Sequence, residues 1–332
     1  MQIENYYKKY VEEGFDENGV LNKFKINCPD DYNFGYDTVD KYAEIEPDRR
    51  TLFWVNLKDE TRQFSFGELS RLSNKAANFF LSLGIKKGDK VMVVLKRDYQ
   101  FWYAMIGLMK IGAVAIPATH LLVKEDFIYR FELADVRAII CTEFAKVAHF
   151  VEDANKESKV IPEFLIMANG RRDGWYDFDA EIEKFPDTME RVSTRKDEPM
   201  LMYFTSGTTG YPKMVVHRQE YPLWHILTAK YWQNVDPKGM HLTVSETGWA
   251  KSVWGKLYGQ MLVGTTVFVY DFDKFDAAKL LTVLEKYKVT TFCAPPTIYR
   301  FFIQEGLDKY DLSSLKYSTI AGEPLNAAVY DR

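Results

Sequence analysis

The sequence predicts an α/β fold of layered subdomains, with largely parallel sheets covered by helices. Three observations carry that expectation. Helical and strand periods alternate along most of the chain. The strands are short and nearly all apolar, as strands buried on both faces are. No internal repeat or low-complexity tract interrupts the alternation. Apolar residues at 47% and charged residues at 27% of 332 positions describe a folded protein with ample chain for a core, organised as about two domains or one large domain with subdomains.

Residues 1–50 show little regular period, and Cys28-Pro29-Asp30-Asp31 followed by Asn33-Phe34-Gly35 reads as loop chemistry, so this part is expected to wrap the domain as a leader. Ser65 can cap a helix running to Gly84, with Leu69, Leu72, Ala76, Phe79, Phe80 and Leu83 at helical spacing. Lys87-Gly88-Asp89 turns into a strand at Val91–Leu95. A helix from about Asp98 to Lys110, a strand at Ala113–Ile116, a helix from about Lys124 to Ala134 and a strand at Ala138–Cys141 follow. Met105 and Met109, four apart, are assigned to the core. The polar stretch Asn169–Asp197 is expected to connect a first subdomain, residues 51–195, to a second, residues 196–332. In the second, strands are expected at Met200–Phe204, Met214–His217, near Thr266–Tyr270 and Thr290–Phe292, and at Tyr317–Ala321.

Charge and cysteine usage exclude several function classes. A net charge of -4 supplies no field toward nucleic acid. Cys28, Cys141 and Cys293 form no CxxC pair, so neither a disulfide framework nor a thiolate zinc site is indicated, and a reducing, cytoplasmic setting is expected. The amino terminus mixes acids with aromatics and lacks the basic start and apolar stretch of a secretory signal. Even the run from Ala104 to Ala118 is broken by Lys110, so no membrane span is expected. The oligomeric state stays open.

The most informative segment is Thr205-Ser206-Gly207-Thr208-Thr209-Gly210-Tyr211-Pro212-Lys213, set between two apolar strands. Glycines let backbone N–H groups turn inward, the hydroxyls of Thr205, Ser206, Thr208 and Thr209 add donors, and Lys213 supplies a compact positive charge; such a loop is built to hold phosphates. The spacing is not that of a P-loop NTPase, because Gly207 and Gly210 are three apart and Met214 follows the lysine. Nor is there a GxGxxG between strand and helix.

This loop resembles the phosphate-loop signature of the adenylate-forming superfamily, which includes acyl-CoA synthetases, luciferases and peptide-synthetase adenylation domains. The segment Thr247–Gln260 resembles the acyl-pocket helix of its short- and medium-chain acyl-CoA synthetases. Ala294–Arg300 and Ala321–Asn326 resemble the next two family segments in order, and Lys110–Pro117 and Asp89–Leu95 also fit. The resemblance covers roughly residues 30 to 332; Met214, where many members have glycine, is a departure that the medium-chain branch tolerates.

The resemblance implies an ATP-dependent, AMP-forming ligase. A short- or medium-chain or branched carboxylate attacks the α-phosphate of ATP to give an acyl-adenylate and pyrophosphate, and the thiol of CoA then displaces AMP. It implies phosphate binding by Thr205, Ser206, Gly207, Thr208, Thr209, Gly210 and Lys213, the last neutralising charge together with magnesium. It also implies an adenine wall of Gly322, Glu323 and Pro324, and an acyl pocket of Trp249, Lys251, Val253 and Trp254. Trp249, Val253 and Lys256 share a helical face by spacing, while Lys251 meets either the substrate carboxylate or solvent. No histidine pair has metal-ligand spacing, no metal ligand is assigned within the chain, and His241 is the outside candidate for the pocket rim.

In the family, a magnesium-holding glutamate, a ribose-gripping aspartate, a hinge and a small carboxy-terminal domain with the main catalytic lysine come later in the chain. The 332 residues therefore resemble the amino-terminal large domain alone. Two other classes remain open at this stage: a nucleotide- or acyl-binding module without turnover, and an interaction scaffold.

Overall fold

A computed structural model describes residues 3–205 and 210–331. Two sheets organise it. One has seven strands in the spatial order Lys213–Arg218, Pro199–Thr205, Val114–Pro117, Lys90–Val94, Val136–Cys141, Phe164–Met167, Tyr176–Asp177. The other has six: Tyr317–Ile320, Thr291–Ala294, Met240–Thr243, Thr266–Asp271, Arg50–Asn56, Thr61–Ser65. All neighbours are parallel except one hairpin in each sheet: Lys213–Arg218 on Pro199–Thr205, and Thr61–Ser65 on Arg50–Asn56.

The sheets do not follow a division at residue 195. The strand Pro199–Thr205 joins the first sheet through Leu201 beside Ala115, and Arg50–Asn56 joins the second through five consecutive partners from Val267 to Asp271. The chain thus enters one sheet, builds the other, and returns. Periodicity reports that a strand is apolar; which equally apolar strand it pairs with is a matter of geometry.

The layers meet around helices. Ser65 accepts from the Glu68 backbone N–H at 3.2 Å while Glu68 accepts from the Ser65 N–H at 2.8 Å, a reciprocal cap that starts the helix Phe66–Ser82 as expected. Gln100–Lys110 is buried on every side, which is why its sequence is apolar all round, Met105 and Met109 included. Its one ammonium, on Lys110, is matched by Asp40 and Asn74, both at 2.6 Å. Trp102 Nε1 donates to the Lys256 carbonyl at 2.9 Å and so ties this helix to the second half of the chain.

The leader is more regular than its sequence suggests. It forms a hairpin, Val11–Phe15 with Leu21–Ile26, and buries Ile3, Tyr6, Tyr7 and Tyr10, with Tyr6 edge-on to Tyr42 and Tyr10 edge-on to Tyr32. Asn33 and Phe34, read as loop residues, are buried, and Asn33 Nδ2 donates to the Met109 carbonyl at 2.7 Å. The polar stretch after Asn169 is likewise packed: Phe178 stacks on Phe80 and on Tyr103.

Candidate functional site

In open α/β sheets, ligands settle outside the carboxyl ends of the strands. Here the ends of Pro199–Thr205, Val114–Pro117 and Met240–Thr243 each deliver a segment singled out by sequence or placed beside one. Thr205 and Lys213 face each other across the first rung of the hairpin, so the phosphate-loop sequence bridges two adjacent strand ends. Ser206, Gly207, Thr208 and Thr209 lie outside the described residues.

The loop's outgoing limb is anchored by aromatic contact. Tyr211 stacks on Tyr129 at 5.0 Å, and the Tyr129 hydroxyl donates to the Pro212 carbonyl at 2.9 Å. Gly210 takes φ +105°, a left-handed conformation that a side chain resists. On the incoming limb Arg130 lies over the Phe204 ring and pairs with Asp126 at 3.2 Å. Lys213 itself is exposed at the rim.

Next to Phe204 is a cavity of about 70 Å³ whose walls include Pro117, Leu122, Arg130, Gly248 and Trp249. The Gly248 backbone passes so close to Ala118–Thr119 that an added Cβ would stand 2.2 Å from the Thr119 nitrogen. From there the pocket helix, Ala250–Lys256, reaches the next motif: Lys251 Nζ donates to the Ala321 carbonyl at 2.9 Å. Gly322 follows at φ +114°, and the Glu323 carboxylate accepts from the Thr297 hydroxyl at 2.7 Å and from Arg300 at 3.3 Å. Glu323 and Pro324 are exposed.

Of the four residues assigned to the acyl pocket, Trp249 lines this cavity, whereas Lys251, Val253 and Trp254 do not. The helix starts at Ala250; Trp249 is its cap, with extended backbone, so the face counted from Trp249 does not exist. Trp249 is 58% exposed over the cavity, whereas Val253 is buried in the core and Trp254 leans on Trp232 at 5.6 Å. Lys251 is half-buried, and desolvation lowers its pKa. His241 is not at a rim: it is fully buried between the hydroxyls of Thr291 and Thr243, both at 2.8 Å, and burial pushes its pKa down to about 3.

Sequence reasoning assigned no site role to Glu246, His120 or Lys256. Glu246 is buried; one oxygen accepts from the Gly248 N–H at 3.1 Å and lies 3.6 Å from His120 Nδ1, while the other has no partner among the described residues. Lys256 is buried beneath the same segment and donates to the Ser245 carbonyl; desolvation, then Arg97, lowers its pKa to about 7. Glu246 directly precedes the Thr247-Gly248-Trp249 motif and could have been suspected there; His120 lies too far along the chain for any local pattern to link it. Among the described residues, no group of three or more His, Cys, Asp or Glu is arranged to hold a metal ion. None of the described helices is long and apolar enough to cross a membrane.

The chain is 31% identical to human "Acyl-coenzyme A synthetase ACSM3, mitochondrial" over 316 residues, 93% of this chain and 54% of that protein. It is 33% identical to rat "Acyl-coenzyme A synthetase ACSM4, mitochondrial" over 96% of this chain and 56% of that one. The chain thus spans little more than half the length of these relatives. Its fold matches the crystal structure of the anthranilate CoA ligase AuaEII in complex with anthranoyl-AMP, with a TM-score of 0.82, 21% identity and coverage of 92% and 57% of the two chains. A Brucella canis acyl-CoA synthetase matches at 0.80 and 22%, covering 91% and 55%. Residues 39–332 match the family described as AMP-binding enzyme, and to that family this chain belongs.

Proposed function

We propose that this chain is the amino-terminal large domain of an AMP-forming acyl-CoA synthetase. It would activate a short- or medium-chain or branched carboxylic acid as its acyl-adenylate before transfer to CoA. One observation supports the reading above the rest: the segments that resemble family motifs form a continuous line of contact. The line runs from Phe204 at the phosphate loop, across the cavity to Gly248 and Trp249, through Lys251 to Ala321, and on to Glu323 and Thr297.

The chemistry that this line can perform is alignment and charge neutralisation. A carboxylate approaching the α-phosphate of ATP brings an anion to a polyanion, so the barrier falls when both are held in line and their repulsion is offset. Lys213 at the rim and the donors of the loop act on the phosphates; Gly322, with no Cβ, leaves room for a flat base against the backbone. Magnesium would add neutralisation on the triphosphate, and we assign it no protein ligand among the described residues. Three free thiols, two of them buried, support a reducing compartment, proposed as the cytoplasm; the human and rat relatives carry the word mitochondrial in their names.

Lys213→Ala is expected to weaken ATP binding about tenfold in calorimetric titration, the loss of one charge-assisted phosphate contact. Unchanged affinity would remove Lys213 from the phosphate site. Trp249→Ala should open the small cavity and raise kcat/KM for longer acids over short ones about tenfold, within the range a pocket discriminates by methylene groups; an unaltered preference in a competition assay would place the acyl wall elsewhere. The reading as a whole is tested by carboxylate-dependent exchange of labelled pyrophosphate into ATP, on this chain and on one extended by the carboxy-terminal part of a relative. Failure of both with all short and medium acids would leave a nucleotide- or acyl-binding module without turnover.

A further inference from the structure

A second cavity, of about 470 Å³, opens where Arg50–Asn56 and Thr266–Asp271 of one sheet end beside Lys90–Val94 and Phe164–Met167 of the other. It shares no lining residue with the cavity under Trp249. One wall lacks hydrogen-bond donors. Asp98 is 7% exposed; its Oδ1 accepts from Asn169 Nδ2 at 2.8 Å, while Oδ2 has no partner among the described residues. The Thr142 hydroxyl stands 3.2 Å from Asn169 Oδ1 and also within hydrogen-bonding reach of the Asp98 carboxylate. Gln100 is 2% exposed and uses its amide nitrogen on the Ala168 carbonyl and on Asp179 Oδ2, which fixes its orientation and leaves Oε1 without a partner. Buried acceptors of this kind are matched in native proteins by a protein group, a water or a ligand. A ligand with several N–H groups would match both acceptors.

The opposite wall carries a cation beside Glu60. Arg62 projects from the exposed strand Thr61–Ser65, forms no ion pair among the described residues, and sits 5.7 Å from the Tyr99 ring. A guanidinium so placed presents a planar fork that fits a carboxylate. Between the two walls stand Trp54 and Tyr99, edge-to-face at 5.3 Å, an apolar surface for a side chain. Two further carboxylates line this cavity: Asp271, paired with Lys96 at 3.0 Å, and Glu60, which accepts from Asn56 Nδ2 at 2.7 Å.

We propose that this cavity is a binding site for a small zwitterion of the α-amino-acid class, with its ammonium on Asp98 Oδ2 and Gln100 Oε1 and its carboxylate on Arg62. The groups facing Asp98 are Asp271 across the sheets, Asp179 from the helix Phe178–Ile182, Lys96 of its own loop, and Arg62 and Glu60 on the far wall. Burial first, and Asp271 second, push its pKa up to about 6. It is therefore ionised at neutral pH, and binding is lost as it protonates below pH 6.

The test is calorimetric titration of the chain, without ATP, with L-phenylalanine, L-glutamine and glycine, and with phenethylamine as an amine that lacks the carboxylate. L-Phenylalanine is expected to bind in the millimolar range or tighter. Arg62→Gln and Asp98→Asn should each weaken it at least about tenfold, and phenethylamine should bind as weakly as L-phenylalanine does to Arg62→Gln. No heat from any of the three amino acids, or equal affinity in wild type and both variants, overturns the proposal. Arg62 is exposed, so Arg62→Gln decides the matter even if Asp98→Asn proves unstable in a thermal melt. Because no nucleotide is present, the outcome is independent of whether the chain activates carboxylic acids.

Discussion

Gly248→Ala is expected to reduce carboxylate-dependent pyrophosphate exchange by about a hundredfold or more in a chain competent for it, and to lower the melting temperature. The added Cβ would lie 2.2 Å from the Thr119 nitrogen and 2.3 Å from the Ala118 carbonyl carbon. These are backbone atoms at the end of a central strand, so no rotamer change relieves the overlap, and one of the two segments must move. Overpacking of a well-filled interior costs about 1–3 kcal/mol, and more where backbone is the obstacle. A displacement on the order of 1 Å between phosphate loop and acyl pocket is worth about a hundredfold in rate. Gly170→Ala is the control, since its Cβ would meet nothing closer than Glu143 Cβ at 3.4 Å and its φ is not in the left-handed range. Equal activity and melting temperature in Gly248→Ala and wild type would refute this account of the site.

Stability is expected to fall by about 3 kcal/mol between pH 7 and pH 5, read as the denaturant midpoint or melting temperature against pH. His225 and His241 drive the change. Burial lowers both pKa values to about 3, with His217 adding to the effect on His225. Both are neutral when folded and take up a proton at about 6.5 when unfolded, so below that pH the unfolded chain binds more protons and gains. At pH 5 this amounts to about 2 kcal/mol for each histidine. Asp98 acts in the opposite sense: held at about 6, it binds its proton earlier in the folded state and returns about 1.4 kcal/mol at pH 5. His241→Gln should remove about one proton from the slope. A slope identical to wild type would show that His241 carries its charge in the folded protein.

Much of the architecture was legible because it is written in local patterns. The helix Lys124–Ala134 stands where its spacing put it, and the Ser65–Glu68 cap starts its helix where a hydroxyl is followed three residues later by a glutamate. The chemistry proposed for the phosphate loop rests on residue type alone: glycines, hydroxyls and a lysine between two strands. The leader was harder, because its order rests on contacts between residues far apart in sequence, Tyr6 with Tyr42, Tyr10 with Tyr32 and Asn33 with Met109, and not on any period of its own. The pocket helix misled for a related reason. Trp249 lies one residue before the helix, in extended backbone, and a shift from helical to extended geometry turns the side chain to another face.

By itself, the sequence determined the alternation of helix and strand, the all-apolar strands of covered sheets, and a loop fit for phosphates joined to family motifs in order. Those are properties of neighbouring residues. Only the tertiary structure decided that Arg50–Asn56 belongs with the second sheet and Pro199–Thr205 with the first, and that Gly248 must be glycine because Thr119 presses on it. It alone set His120 beside Glu246, and Asp98 and Arg62 on one cavity. The physical reason is the same in each case: hydrophobic period records whether a residue is buried, whereas its partner depends on where the backbone of a remote segment passes.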